Sequence, residues 1–400
     1  MIFINSKINS DYIIPRLKLF LSYKVAQLKS GEDGSFLLEK AEEKVIIDYF
    51  IYPRTFVIAE PGYGKTRLLQ ELSITCRSLG KKSLFVDLKK SINQQSLIDY
   101  LRTCIDELEG SKQFKIVNSE DIILCLDGLD EVKQDNFTET ITKIKTFSKL
   151  YPKVLIALSC RWHFFEKYQE LFVDTDFKYL RIYPFSVENI RKYLKQASLL
   201  DGDIDKLINS LQFRHRNLII QTPRYLEFLF TYIKEKGIKD IGNITRTDLF
   251  EHFIYQKLDL EDKRLSKQKK DLVKRVLEKL ALIMEIYQTN ILTKDELMTF
   301  FDDLNSDLKV SLLNQVPLEV FFDNSLLKDN GKTIEFDNTE FQEYLAAKEI
   351  TRLGHIEQTV FDLSIDQELK EIFPSWFNTL TFLLELDISL LKPILDFGSR

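Results

Sequence analysis

The stretch "AEPGYGKTRLL", Ala59 to Leu69, decides how the chain is read. It spells G-x-x-x-x-G-K-[ST] except that Ala59 stands where the first glycine is usual. The run before it, "TFVIA" (Thr55–Ala59), is apolar and β-branched, as expected of a buried parallel strand. The segment after it, "TRLLQELSITCRSLG", places Leu68, Leu69, Leu72 and Cys76 at helical spacing and ends on Gly80. A glycine-rich loop between a strand and a helix N-terminus is a phosphate cradle, because its amides and the helix dipole converge on anionic oxygens. Lys65 is expected to reach the β- and γ-phosphates, and the Thr66 hydroxyl to bind Mg²⁺. Gly62 and Gly64 let the backbone approach closely, so the whole run Ala59, Glu60, Pro61, Gly62, Tyr63, Gly64, Lys65, Thr66 and Arg67 is the candidate nucleotide-binding loop. Alanine at position 59 costs little unless that position needs a positive φ.

A second buried-strand pattern, "DIILCLDGLDEV" (Asp121–Val132), ends in three acidic residues. An aspartate at the C-terminal end of a parallel strand lies where ligands bind. Asp127 is therefore assigned to Mg²⁺, as in other phosphate-loop enzymes. Asp130 or Glu131, more so Glu131, could polarise attacking water. The competing reading is that these two acids cap the following helix.

Together, "AEPGYGKT" and "LCLDGLDE" resemble the NACHT group of signal-transducing ATPases, the STAND class of phosphate-loop proteins. That group carries an acidic motif matching Asp-Gly-Leu-Asp-Glu residue for residue and often tolerates alanine at the first loop position. The resemblance implies ATP or ADP with Mg²⁺, slow hydrolysis, and homo-oligomerisation once a trigger is sensed. In bacterial members it implies antiviral defence, with a viral component as the trigger. It also implies that the strand in "KVLIALSCRWHFF" (Lys153–Phe165) is inserted between the loop strand and the acidic strand. Arg161 then matches the arginine that distinguishes triphosphate from diphosphate; a plain surface arginine is the alternative.

"KSLFVDL" (Lys82–Leu88) and "FKYLRIYPF" (Phe177–Phe185) read as further strands, with helices "SLIDYLRTCIDEL" and "FTETITKIKTFSKL" among them. The expected fold is an α/β phosphate-loop NTPase domain, a parallel sheet with helices on both faces, over residues 49–184. A helical domain is expected over 185–243, a winged-helix domain over 244–350, and the start of a C-terminal helical array over 351–400. Residues 1–48 are expected to form a helical or adaptor segment. "QTPRYLEFLFTYIKEKG" contains Pro223, which matches a family proline that packs near adenine, although Gln221 replaces the family's glycine; an ordinary helix-start proline is the alternative. "NSLLKDNGKTIEFDN" carries an Asn-Gly hairpin signal, the expected wing. "FDNTEFQEYLAAKEI" keeps the family's FQEYLAA run, but Asn338 stands where a histidine approaches the β-phosphate. Asparagine can hydrogen-bond a phosphate but carries no charge near neutral pH. The apolar "SWFNTLTFLLELDISLLKPILDF" leads to the expectation that a longer helical array continues past Arg400.

Composition narrows the function classes. The chain has 400 residues, 44% hydrophobic and 29% charged, with a net charge of −5. That balance argues against a dedicated nucleic-acid binder, and the basic "KRLSKQKKDLVKR" (Lys263–Arg275) is interleaved with an acid in the manner of a solvated helix face. No run approaches the ~18 apolar residues of a membrane span. Cys76, Cys104, Cys125 and Cys160 lack metal-ligand spacing and read as thiols of a reducing cytoplasm. Two other functions remain open: an AAA+-like motor, for which no pore loop or trans arginine finger is evident, and a nucleotide-gated winged-helix DNA-binding regulator, which requires salt-sensitive duplex binding. The guanine-reading N-K-x-D tetrad is absent, which weakly favours ATP.

Overall fold

A computed structural model describes residues 16–20, 35–37, 50, 52–91, 97–106, 120–132, 134–172, 176–196, 199–212, 217–237, 244–261, 266–308, 321, 326–366, 368 and 370–398. They fall into two compact units, residues 1–230 and 231–400.

The first unit is built on a seven-stranded sheet. In chain order its strands are β1 (Arg16–Phe20), β2 (Ser35–Leu37), β3 (Arg54–Ala59), β4 (Lys82–Asp87), β5 (Ile122–Asp127), β6 (Leu155–Arg161) and β7 (Lys178–Tyr183). In space the order is β2-β1-β7-β3-β6-β5-β4. The last five of these pair in parallel, so β6 does lie between the loop strand β3 and the acidic strand β5. Burial on both faces explains their near-continuous apolar runs. On one face, helices α2 (Leu97–Asp106), α3 (Gln134–Leu150) and α4 (Trp162–Tyr168) cover Phe56, Ile58, Leu124, Leu126, Ile156 and Leu158. There Phe56 is fully buried, with the rings of Phe165, Phe172, Phe177 and Tyr179 between 4.8 and 6.1 Å from its own. On the other face, α1 (Lys65–Ser78) sets Leu68, Leu69, Leu72 and Cys76 against Val57, Ala59, Ile123, Cys125 and Ala157. Cys76, Cys125 and Cys160 are buried free thiols; the Cys104 side chain lies outside the described residues.

The first 48 residues depart from the helical reading. Their described parts are two strands: β1 runs antiparallel to β7 and β2 antiparallel to β1. The physical reason is visible in "RLKLF", where Arg16 and Lys18 alternate with Leu17 and Leu19 at the period of a strand. An outermost parallel strand otherwise presents unpaired backbone groups, and β1 covers that edge of β7.

After β7 the first unit becomes helical: α5 (Val187–Gln196), α6 (Asp201–Gln212), α7 (Asn217–Gln221) and the start of α8 (Pro223–Lys236). In the second unit, α9 (Arg246–Glu261), α10 (Lys267–Ile286), α11 (Lys294–Leu308) and α12 (Thr339–Ile350) accompany a small antiparallel sheet. Its strands β8 (Leu292–Thr293), β9 (Leu327–Asp329) and β10 (Thr333–Phe336) stand in the order β8-β10-β9. The hairpin turns at Asn330-Gly331, as the sequence signals, with Gly331 at φ +86° and Asn330 N donating to Thr333 O at 2.9 Å. On α10, Glu278 is fully buried yet meets Lys274 at 3.7 Å, Arg275 at 3.2 Å and, just past α12, Arg352. Glu349 meets Lys279 at 3.0 Å and Arg275. A buried carboxylate persists only with such partners, because desolvation alone would neutralise it.

Candidate functional site

β3 delivers the chain to the phosphate loop. Ala59 is its last residue, in register with Arg161 on β6 and 2% exposed. Among the described non-glycine residues only Gln288 and Lys370 have positive φ, so Ala59 sits in ordinary extended backbone. That is why alanine serves where the motif usually has glycine. The positions that need glycine come later: Gly62 at φ +74° and Gly64 at φ +89° turn the loop into α1. Leu68 N then donates to Gly64 O at 2.8 Å, closing the first helical turn.

Lys65 opens α1 and curls back over the loop, its Nζ donating to Ala59 O at 3.1 Å and Glu60 O at 3.3 Å. Among the described residues it forms no ion pair. A cation at a helix N-terminus, held only by carbonyl oxygens, is suited to an anionic ligand. Arg67, by contrast, pairs with Glu71 one turn along. The Tyr63 ring is buried with Leu68 and Leu69, and burial pushes its hydroxyl up to about 12. What Tyr63 can offer a ligand is therefore backbone. Glu60 is raised by burial, opposed chiefly by Lys65 and then by Arg181 and Arg161.

The acidic segment is fastened to β6 residue by residue. Asp127 ends β5 beside Asp87 of β4. The fully buried Ser159 donates its hydroxyl to Asp127 Oδ1 at 2.5 Å and accepts from Gly128 N at 2.9 Å. Burial pushes the Asp127 carboxyl up to about 6, against hydrogen bonding from Ser159 and Thr66. Gly128, at φ +77°, swings the chain into a short turn over Leu129–Glu131. Two residues beyond Ser159, Arg161 donates from its backbone N to Asp130 Oδ1 and from Nε to Asp130 Oδ2, both at 2.9 Å. Glu131 lies 3.6 Å from Lys89, which is also 3.7 Å from Asp87.

Lys65, Thr66, Asp127, Asp130, Glu131 and Arg161 thus belong to one sheet end, the C-terminal end of β3, β5 and β6. Pro223 opens α8, and the next residue, Arg224, donates its N to Gly62 O at 3.4 Å, so the helix start abuts the loop. Asn338 belongs to the second unit, where it is the N-cap of α12, its side chain accepting from Glu340 N at 2.8 Å. Replacing Asn338 by alanine is expected to cost about 1 kcal/mol of second-unit stability through that lost cap. Denaturant unfolding checks this, with Asn338→Asp keeping the cap. Ser159, Lys89 and Asp87 were not legible as site residues. Their roles come from strand register, and the only sequence signal was a polar residue near the end of β4 or β6.

Residues 54–198 match the family model of the NACHT domain. No curated protein matches the chain. Among solved structures, the Aeropyrum pernix ORC1 protein in complex with DNA is 14% identical, covering 74% of this chain and 86% of its own, with a TM-score of 0.33. AMPPCP-bound DnaA from Aquifex aeolicus is 16% identical, covering 68% and 88%, also with a TM-score of 0.33. Likenesses this loose assign no residue a role.

Proposed function

We propose that this chain, which carries a NACHT domain of the phosphate-loop NTPase fold over residues 54–198, is an ATP-dependent STAND-type switch. The observation that carries the reading is the arrangement at the sheet end. Lys65, which forms no ion pair among the described residues, stands at the start of α1, and Ser159 holds Asp127 in one orientation at the end of β5. The loop amides and Lys65 bind the phosphates of ATP or ADP, and Thr66 and Asp127 hold Mg²⁺. Bound Mg²⁺ supplies neutralisation of phosphate charge. Pro223 opens α8 beside the loop and is the proline that the family resemblance sets near the adenine. Residues 185–243 and a winged-helix domain over 244–350, which carries Asn338, are the movable part of the switch, and 351–400 begin a helical array. Sensing of a trigger with ATP bound releases the lid and lets protomers assemble as homo-oligomers. A viral component is the trigger that the family resemblance favours, in a cytoplasmic setting.

The test is the nucleotide content and basal turnover of the purified protein. A switch retains nucleotide and turns over slowly without a trigger. Rapid steady-state hydrolysis would replace this reading with a motor ATPase. Salt-sensitive duplex binding would replace it with a DNA-binding regulator.

A further inference from the structure

We propose that Asp130 is a positioning residue that acts through Arg161, leaving Glu131 as the acidic-segment carboxylate that works on water. This rests on the nucleotide site described above. Both Asp130 oxygens are engaged by one residue, Oδ1 by the Arg161 amide and Oδ2 by Nε, each at 2.9 Å. The two side chains are 3% and 9% exposed, so the contact is closed to solvent. A general base needs a lone pair directed at a water in the site. Asp130 instead faces β6, while the Glu131 side chain keeps 24% of its surface exposed beside Lys89.

The backbone enforces this division. Gly128 N is tied to Ser159 Oγ and Glu131 N to Gly128 O at 3.0 Å, so the turn cannot rotate Asp130 away without breaking its hold on β6. A side chain at Gly128 would also be strained at φ +77° and would meet Glu131 at 3.4 Å. On the arginine side, a contact through Nε and the backbone amide fixes the plane of the guanidinium at the strand end in register with Ala59. Arg161 is thereby pre-set to read a third phosphate, and Asp130 sets both its direction and its residual charge.

The experiment uses the whole chain and compares ATP and ADP affinities in Mg²⁺, by calorimetry, alongside single-turnover hydrolysis. Wild type is expected to favour ATP over ADP. Arg161→Gln, which removes the reading charge, should lower that ratio by roughly tenfold, and Asp130→Asn, which only releases that charge, should lower it in the same direction by no more than that. The Asp130→Asn/Arg161→Gln double variant should match Arg161→Gln, and Glu131→Gln should lose hydrolysis with the ratio intact. The double variant also guards against misfolding of Asp130→Asn, since it removes both buried charges together. An Asp130→Asn protein that loses hydrolysis but keeps the wild-type ratio would make Asp130 the base and overturn the proposal. Additive effects in the double variant would overturn it too. A wild type that binds neither nucleotide would overturn the underlying site reading, which separates the two failures.

Discussion

Lys65→Ala is expected to weaken nucleotide binding by roughly 10- to 100-fold and to yield protein that is nucleotide-free after purification. The magnitude follows from losing charge-assisted hydrogen bonds to phosphate, each worth about 1.5–3 kcal/mol. The fold should survive the change. Lys65 Nζ contributes two bonds to carbonyl oxygens of its own loop and no ion pair among the described residues. Its positive charge also sits at the positive end of α1, so removing it relieves rather than adds repulsion without a ligand. Nucleotide released from denatured protein, quantified for both forms, checks the expectation, with denaturant unfolding as the control. Equal retention in the two proteins would remove the phosphate loop as the binding site. A variant that unfolds more readily without nucleotide would show that Lys65 is structural instead.

The parts of this site that were legible in the sequence are those written in local pattern. Strand β3, the glycines and α1 are contiguous, and each obeys its own periodicity, so the loop was readable from "AEPGYGKTRLL" alone. The placement of β6 between β3 and β5 followed from the family resemblance and holds in the sheet. What could not be read is whatever depends on which side chains register brings together. Arg161 matches the family's sensor arginine in the sequence, and only the structure shows that it is engaged by Asp130, 31 residues away in the chain. Ser159 is one hydroxyl among many until β6 lies beside β5. Tyr63 is inside the motif but its ring belongs to the core, because the turn at Gly62 and Gly64 directs it under the loop. The two N-terminal strands were missed for a different reason. Four alternating residues carry little weight by themselves, and what fixes this segment as a strand is the open edge of β7.

Asp127→Asn is expected to stabilise the ligand-free protein while abolishing the Mg²⁺ dependence of nucleotide binding. The carboxyl is half-buried at the strand end and raised from 3.8 to about 6, with desolvation as the largest cause. The unfolded chain releases this proton near 3.8 and the folded one near 6, so across that window the folded state binds more protons and stability falls as pH rises. Above about pH 6 the full penalty applies, about 3 kcal/mol for the buried charge. An amide keeps an oxygen to accept the Ser159 hydroxyl and removes the charge, so that penalty disappears. Urea unfolding without nucleotide should therefore favour the variant by about 3 kcal/mol at pH 7.5. The advantage should shrink as the pH is lowered from about 6 towards 4, where wild type recovers by protonation. With Mg²⁺ and ATP the variant's advantage should narrow or reverse, since only wild type gains the Mg²⁺-dependent part of the binding. A variant less stable than wild type at pH 7.5 without ligand would mean that the Asp127 charge supports the fold by itself. The carboxylate would then not be held at an energetic cost for the sake of a cation, which is the physical reason for placing Mg²⁺ beside it.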